Sequence, residues 1–324
     1  MTGISDQFWT IGDESTYGTR ATTLTRGVEQ KPGNSASFRI EHRPSGGFRP
    51  GFLGDPTDTH VVDSSRGGTV PVVFDLLSKG HSMVLSSAGS VAITTPDGAT
   101  LTRDHTITPS DGTLDPRTIH RAPFGAALDE QDFLGCTLMD LGFSVSPKGN
   151  VQVTANYDFA SFDSEASTVT PTYPSSPYVF QDVDVTTSLG GSDICQRSID
   201  FTIPTGAKVD LDRICPTGRA QPVVADTIRP TGSLSFDYGD ESYLDDWIAG
   251  TSRALVFTIS GAANGIETSF AYSCTVTFAA VKFTGSDLNM SLTDKTEQPL
   301  TWQAFDNGSD PLWQIVYRTT DTAI

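Results

Sequence analysis

Few residues in this chain stand where they could do covalent chemistry. Asp104-His105 is the nearest thing to a catalytic pair. A base and its orienting carboxylate must converge, however, and adjacent residues on a strand point to opposite faces. The five histidines (42, 60, 81, 105 and 120) lie apart, without ligand spacing for a metal. Asp182-Val-Asp184 and Asp210-Leu-Asp212 could offer carboxylates to calcium, but alternate acids on an exposed strand give the same text. The exposed-strand reading is preferred. HExxH, Walker A, GxGxxG, GxSxG and CxxC motifs are all missing. The chain is expected to be no enzyme and to carry no cofactor or metal.

Charge says more. The formal net charge is −18, with 39 acidic residues against 21 basic ones. Gripping nucleic acid needs Lys and Arg on phosphates, so a protein this acidic is not expected to hold it. An acidic wall facing DNA would instead repel it and keep it from sticking. Acids also cluster. Between Lys148 and Arg197 no Lys or Arg occurs, and Asp158, Asp163, Glu165, Asp182, Asp184 and Asp193 fall in that span. Asp237, Asp240, Glu241, Asp245 and Asp246 form a second cluster. Ordinary solvated faces explain this, and so does a shared negative surface in an assembly. The candidates for such a surface are Asp158, Asp182, Asp184, Asp237, Asp240 and Glu241. The first 66 residues run the other way. Arg20, Arg26, Arg39, Arg43 and Arg49 stand on a Gly-, Pro- and Ser-punctuated stretch that is either a solvated loop or an arm crossing to an acidic neighbour.

The elements that must carry these residues are strands. Gly (30) and Pro (19) are frequent and only 19 % of residues are charged, a mix that favours short strands and turns. Val151, Val153, Ala155, Tyr157 and Phe159 alternate with polar residues, the period of a half-buried strand. Leu288, Met290 and Leu292 do the same in the second half. Turns at 146–150 and 284–287 join each to a preceding strand. Helix is scarce. Ser242 to Ala249 has an S-x-x-D start and Gly250 to end it, and its counterpart is expected at Asp75 to Lys79, closed by Gly80. No signal peptide or membrane span is expected. Four dispersed cysteines do not make a disulfide framework.

The text also repeats itself. Gly68-Thr-Val-Pro-Val72 and Gly232-Ser-Leu-Ser-Phe236 open comparable passages, each followed by an apolar stretch ending at Gly80 or Gly250. Each then reaches Cys-Thr, at 136–137 and 274–275, and a hairpin. Cys136 and Cys274 are therefore expected to be small core residues, and Trp247, in the repeated apolar stretch, to be core as well. Two modules follow, 1–163 and 178–324, each a β-sandwich or barrel with one short helix. Residues 164–177 read as a Pro-stiffened linker unable to bury apolar surface. The path from glycine to Cys-Thr is 56 residues in the first copy and 24 in the second, so an inserted hairpin is expected within about 90–130.

Asp13-Glu-Ser-Thr-Tyr-Gly-Thr19, the Gly-Thr-Val strand with its run to Gly80, and Phe133-Leu-Gly-Cys-Thr-Leu138 resemble the tail tube proteins of long-tailed, siphovirus-like bacteriophages. Arg229-Pro-Thr-Gly-Ser-Leu-Ser-Phe236 and Trp247-Ile-Ala-Gly-Thr251 continue the likeness in order through most of the chain. The loop at 31–66 and the prolines at 171–177 depart from it. The resemblance implies β-sandwich or barrel modules that close six to a ring, with stacked rings forming a conduit for the genome. It implies a ring of three two-module chains, or alternatively a hexamer. It further implies tape measure, tail terminator and distal tail proteins as partners, and a virion protein made in the host cytoplasm. DNA would pass through the lumen without specific binding, and no membrane is involved. The competing reading is a two-domain β-sandwich that recognises a glycan or receptor. Its expected cluster of exposed aromatics is not visible in four scattered tryptophans (9, 247, 302 and 313).

Overall fold

Alternating side chains become strands only when a neighbour covers one face, and here nearly every apolar run finds one. The computed structural model describes residues 7–31, 35–39, 41–44, 61–65, 67–123, 130–164, 166–210, 219–237, 242–286 and 297–322. The first half holds β1 (Phe8–Asp13), β2 (Arg26–Val28), β3 (Ser37–Phe38), β4 (Glu41–Pro44), β5 (Val61–Ser65) and β6 (Gly68–Asp75). It continues with α1 (Ser82–Ser86), β7 (Ser90–Thr94), β8 (Arg103–Thr108), β9 (Arg117–Ala122), β10 (Gln131–Val145), β11 (Gln152–Phe159) and β12 (Ser161–Asp163). The second half holds β13 (Val185–Leu189), β14 (Ser192–Ile194), β15 (Ser198–Pro204), β16 (Ala207–Lys208), β17 (Val223–Val224) and β18 (Thr231–Asp237). Then come α2 (Ser242–Ala249), β19 (Arg253–Glu267), β20 (Phe270–Ser286), β21 (Glu297–Ala304) and β22 (Gln314–Thr319). The protein is mainly β, of the antiparallel sandwich class, as the composition led one to expect.

The same pairing order occurs in both halves. β1 pairs with β2 and β9, as β13 pairs with β14 and β19. β6 pairs with β3 and β11, as β18 pairs with β15 and β21. β10 pairs with β9, β11 and β12, as β20 pairs with β19, β21 and β22. Even the small ribbons β4–β5 and β16–β17 correspond. Among the described strands, two ladders join the halves. Asp140 to Val145 on β10 lie against β15, and β8 lies against β22. The hairpin β7–β8, from the expected inserted segment, is thus zipped onto the second half's sheet. Glu267 latches the loop inside that hairpin, accepting bonds from Thr100, Leu101 and Thr102, which hold its carboxyl down at about 2.

One buried apolar cluster runs through both halves, from Ile11 to Tyr317. Cys136 and Cys274 lie in it, as expected, and burial lifts both thiols well above the usual range. The 151–159 strand appears as β11 with alternate residues buried. The 288–292 strand falls outside the described residues.

Helix α2 matches its expected span, and Gly250 ends it at φ 65°. Gly250 donates to the Trp247 carbonyl at 3.1 Å and Thr251 to that of Asp246 at 2.9 Å, so two carbonyls of the last turn are satisfied. The first helix is a correction. Asp75 belongs to β6, where it pairs with Gln152, and α1 begins only at Ser82. Leu77 N–H donates to His81 Nδ1 at 3.2 Å, and Gly80 at φ 92° turns the chain before the helix starts. A second correction concerns 164–177. Val169 is buried with Ala21 and Leu24, and the Thr172 backbone bonds Thr25 and Gly27, so the segment does bury apolar surface.

His81 makes the fold sensitive to acid. Burial, partly offset by Asp75, lowers its pKa from 6.5 to about 3. The folded chain holds the ring neutral, so below 6.5 the unfolded chain takes up the proton first. Stability should therefore be whole above 6.5 and fall towards pH 3, by a few kcal/mol at ~1.4 kcal/mol per pH unit. His81→Gln keeps an acceptor for Leu77 without titrating. Urea midpoints at pH 7 and pH 4.5 should differ less in that variant than in the parent, and equal losses would refute the assignment.

Candidate assembly surfaces

Internal ties absorb the residues most suggestive of chemistry. Asp104 and His105 face opposite sides of β8, as the strand period requires. Asp104 forms a bidentate pair with Arg318 at 2.7 and 2.8 Å, while buried His105 Nε2 meets the Asp321 carbonyl at 2.8 Å. Among the described residues no three His, Cys, Asp or Glu converge as metal ligands. A cleft of about 1040 Å³ is lined by Asp111, Asp306, Asp310 and Arg229 without any His or Cys.

Sequence reasoning missed one buried cluster. His120 Nδ1 lies 2.7 Å from Asp132 and Nε2 lies 3.2 Å from Glu130, all within the protein. Asp132 also binds Arg20, and Glu130 accepts from Val169 N–H at 3.1 Å. The cluster therefore fastens the N-terminal stretch and the 164–177 segment to β9 and β10. His120 and Asp132 meet only because they are cross-strand partners, a register that local patterns do not disclose.

The arginine candidates separate. Arg20 binds Asp132 and the Ser167 carbonyl, Arg26 donates to Ser82 Oγ at 3.1 Å, and Arg39 pairs with Asp158 at 2.5 Å. Their described contacts lie within this chain. Arg43 lies on β4, opposite Val62, and Arg49 is outside the described residues. The acids separate as well. Asp158 is buried between Arg39 and Arg219. Asp182 accepts from Lys148 N–H at 2.8 Å, stabilising the 146–149 turn, where Lys148 has φ 61°. Asp184 accepts from the Tyr178 hydroxyl at 2.7 Å, a bond that raises the phenol's pKa. Asp237 ends β18 opposite Glu297, while Asp240 and Glu241 are outside the described residues.

Apolar side chains in the open are the informative surface. Trp247, expected in the core, is 39 % exposed and its neighbour Ile248 75 %. The reason lies in how α2 is seated. Tyr243 meets Phe236 and Phe283 edge to face, and Asp246 takes a bidentate bond from Arg253, so that face points inward. Trp247 and Ile248 face out, with half-buried Leu244 one turn before them. At another place Phe38 and Phe162 are 42 % and 36 % exposed, with ring centroids 4.9 Å apart. They sit on Phe133 and Phe159.

Exposed apolar patches on α2 and on β3 with β12 are surface features of the kind that proteins use to meet other proteins. Compared with known families, residues 5–304 match the model described as phage tail tube protein, and the chain belongs to that family. A search among curated proteins returned no match. Membership gives the protein a structural role in the tail tube, self-assembly into a tube and a place in the virion. Among the described residues no helix is long and apolar enough to cross a membrane.

Proposed function

We propose that this chain is a ring-forming subunit of a long phage tail of siphovirus type, whose stacked rings conduct the genome into the host. Residues 1–163 and 178–324 act as quasi-equivalent modules joined by 164–177, and three copies set six modules around a lumen. A ring of six chains is the alternative. The observation that carries this reading is the β10–β15 ladder, which already makes one sheet of two halves. The net charge of −18 suits a conduit that repels phosphates, with Asp182, Asp184, Asp237, Asp240 and Glu241 as candidates for its lining. Tape measure, terminator and distal tail proteins bound the tube, and synthesis occurs in the host cytoplasm.

Negative-stain microscopy of the purified protein should show rings or tubes with a central channel. A clean monomer at high concentration in every salt condition would overturn the proposal.

A further inference from the structure

Resting on the ring reading above, the contact between one copy and the next can be traced from a contact already made inside the chain. Helix α1 is wholly buried. What closes over its surroundings comes from β8 and the second half: Gly89 backs onto Thr108 and the Trp313 indole, Tyr317 donates to the Leu77 carbonyl at 2.7 Å, and Asp321 accepts from Gly80 N–H at 2.7 Å. Beside this, β15 extends the sheet along β10. The first half thus offers a helix and a strand edge, and the second half covers them with β15 and the region of β22.

The repeated pairing order assigns counterparts to all four. The helix is α2, and the edge is that of β20 beyond Val281, where the ladder from β19 has ended at Arg253. The counterparts of β15 and β22 are β3 and β12. In the described pairings β3 has only β6 beside it and β12 only β10. Among the described residues, four of the ten exposed large apolar side chains fall on these same elements: Trp247 and Ile248 on α2, Phe38 on β3, Phe162 on β12.

We propose that Trp247 and Ile248 of one copy pack on Phe38 and Phe162 of a second copy, while Ser37–Phe38 adds to the open edge of β20. Two different patches meet, so the contact is head-to-tail and every copy carries one of each. Such a contact propagates until rotation closes it into a ring. Aromatic anchors of this kind dominate protein interfaces, and losing one pair should raise the concentration needed for assembly at least about 30-fold.

Two variants test this, Trp247→Ser with Ile248→Ser and Phe38→Ser with Phe162→Ser. Each should melt within a few degrees of the parent and sediment as a monomer where the parent forms rings. Mixed one to one, they should give a heterodimer and nothing larger, because one intact patch of each kind remains for a single joint. Assembly of either variant at the parent's concentration, or a mixture that stays monomeric, would overturn the proposal while leaving the tube reading intact. A parent that never assembles would remove both. Should a serine pair unfold the chain, Ile248→Cys with Phe162→Cys in a Cys195→Ser, Cys215→Ser background decides. Disulfide-linked oligomers above the parent's background support the contact, and their absence on oxidation refutes it.

Discussion

Phe201→Ala is expected to destabilise the protein by roughly 3–5 kcal/mol and to unfold both halves in one transition. Phe201 stands on β15 with 3 % of its surface exposed. It stacks on Phe143 of the first half at 5.0 Å and 18°, and on Phe257 of the second at 4.8 Å and 12°. Phe278 meets its edge at 5.5 Å, and Trp302 lies at 6.3 Å. Opposite Phe201, Gly232 leaves the room these rings fill, since a Cβ there would stand 2.6 Å from both Phe201 Cβ and the Trp302 ring. Truncation removes the ring that both halves share and leaves a void among rigid aromatics that do not collapse into it. The ladder from β10 through β15 to β18 stays hydrogen-bonded, so neither half has a separate core on which to survive alone. Urea titration followed by tryptophan fluorescence and by far-ultraviolet circular dichroism should give coincident curves for parent and variant, the variant's midpoint shifted down. Two resolved transitions in the parent, or a loss below about 1 kcal/mol, would contradict this account of the core.

How much of this was legible beforehand depended on how local each feature is. Alternation from Val151 to Phe159 announced β11, because strand geometry ties side-chain direction to sequence parity. The S-x-x-D start and Gly250 announced α2 because caps act within one turn. The first helix slipped because the stretch after Phe74 has the residues of either state; Asp75 pairs with Gln152 at the end of β6, and Leu77 bridges Val179 before the chain turns. Trp247 was misplaced for a related reason. An apolar residue in a repeated passage is buried when its copy is, yet α1 has the second half closed over it and α2 does not. Ties across long separations were illegible: Arg20 to Asp132 spans 112 residues and Arg39 to Asp158 spans 119. Alternation says that a face is covered without saying by what.

Asp158 carries the other large effect. Its side chain is 1 % exposed, on β11, between Arg39 from the N-terminal stretch and Arg219 from the segment before β17. Arg219 is nearly as buried and also donates to the Phe159 carbonyl at 2.9 Å, so one carboxylate joins three parts of the chain. Asp158→Ala should cost roughly 3–5 kcal/mol, chiefly because it strands a buried guanidinium. Arg39, with 39 % of its side chain exposed, returns to water at little cost, so the two arginines should not matter equally. Arg39→Ala is expected to cost under about 1 kcal/mol. Arg219→Met in the Asp158→Ala background should restore part of the loss, since no unpaired charge then remains. A double-mutant cycle read by urea unfolding measures this directly. If Asp158→Ala and Arg219→Met losses simply add, the carboxylate is not held by that arginine and the joining role assigned to it fails.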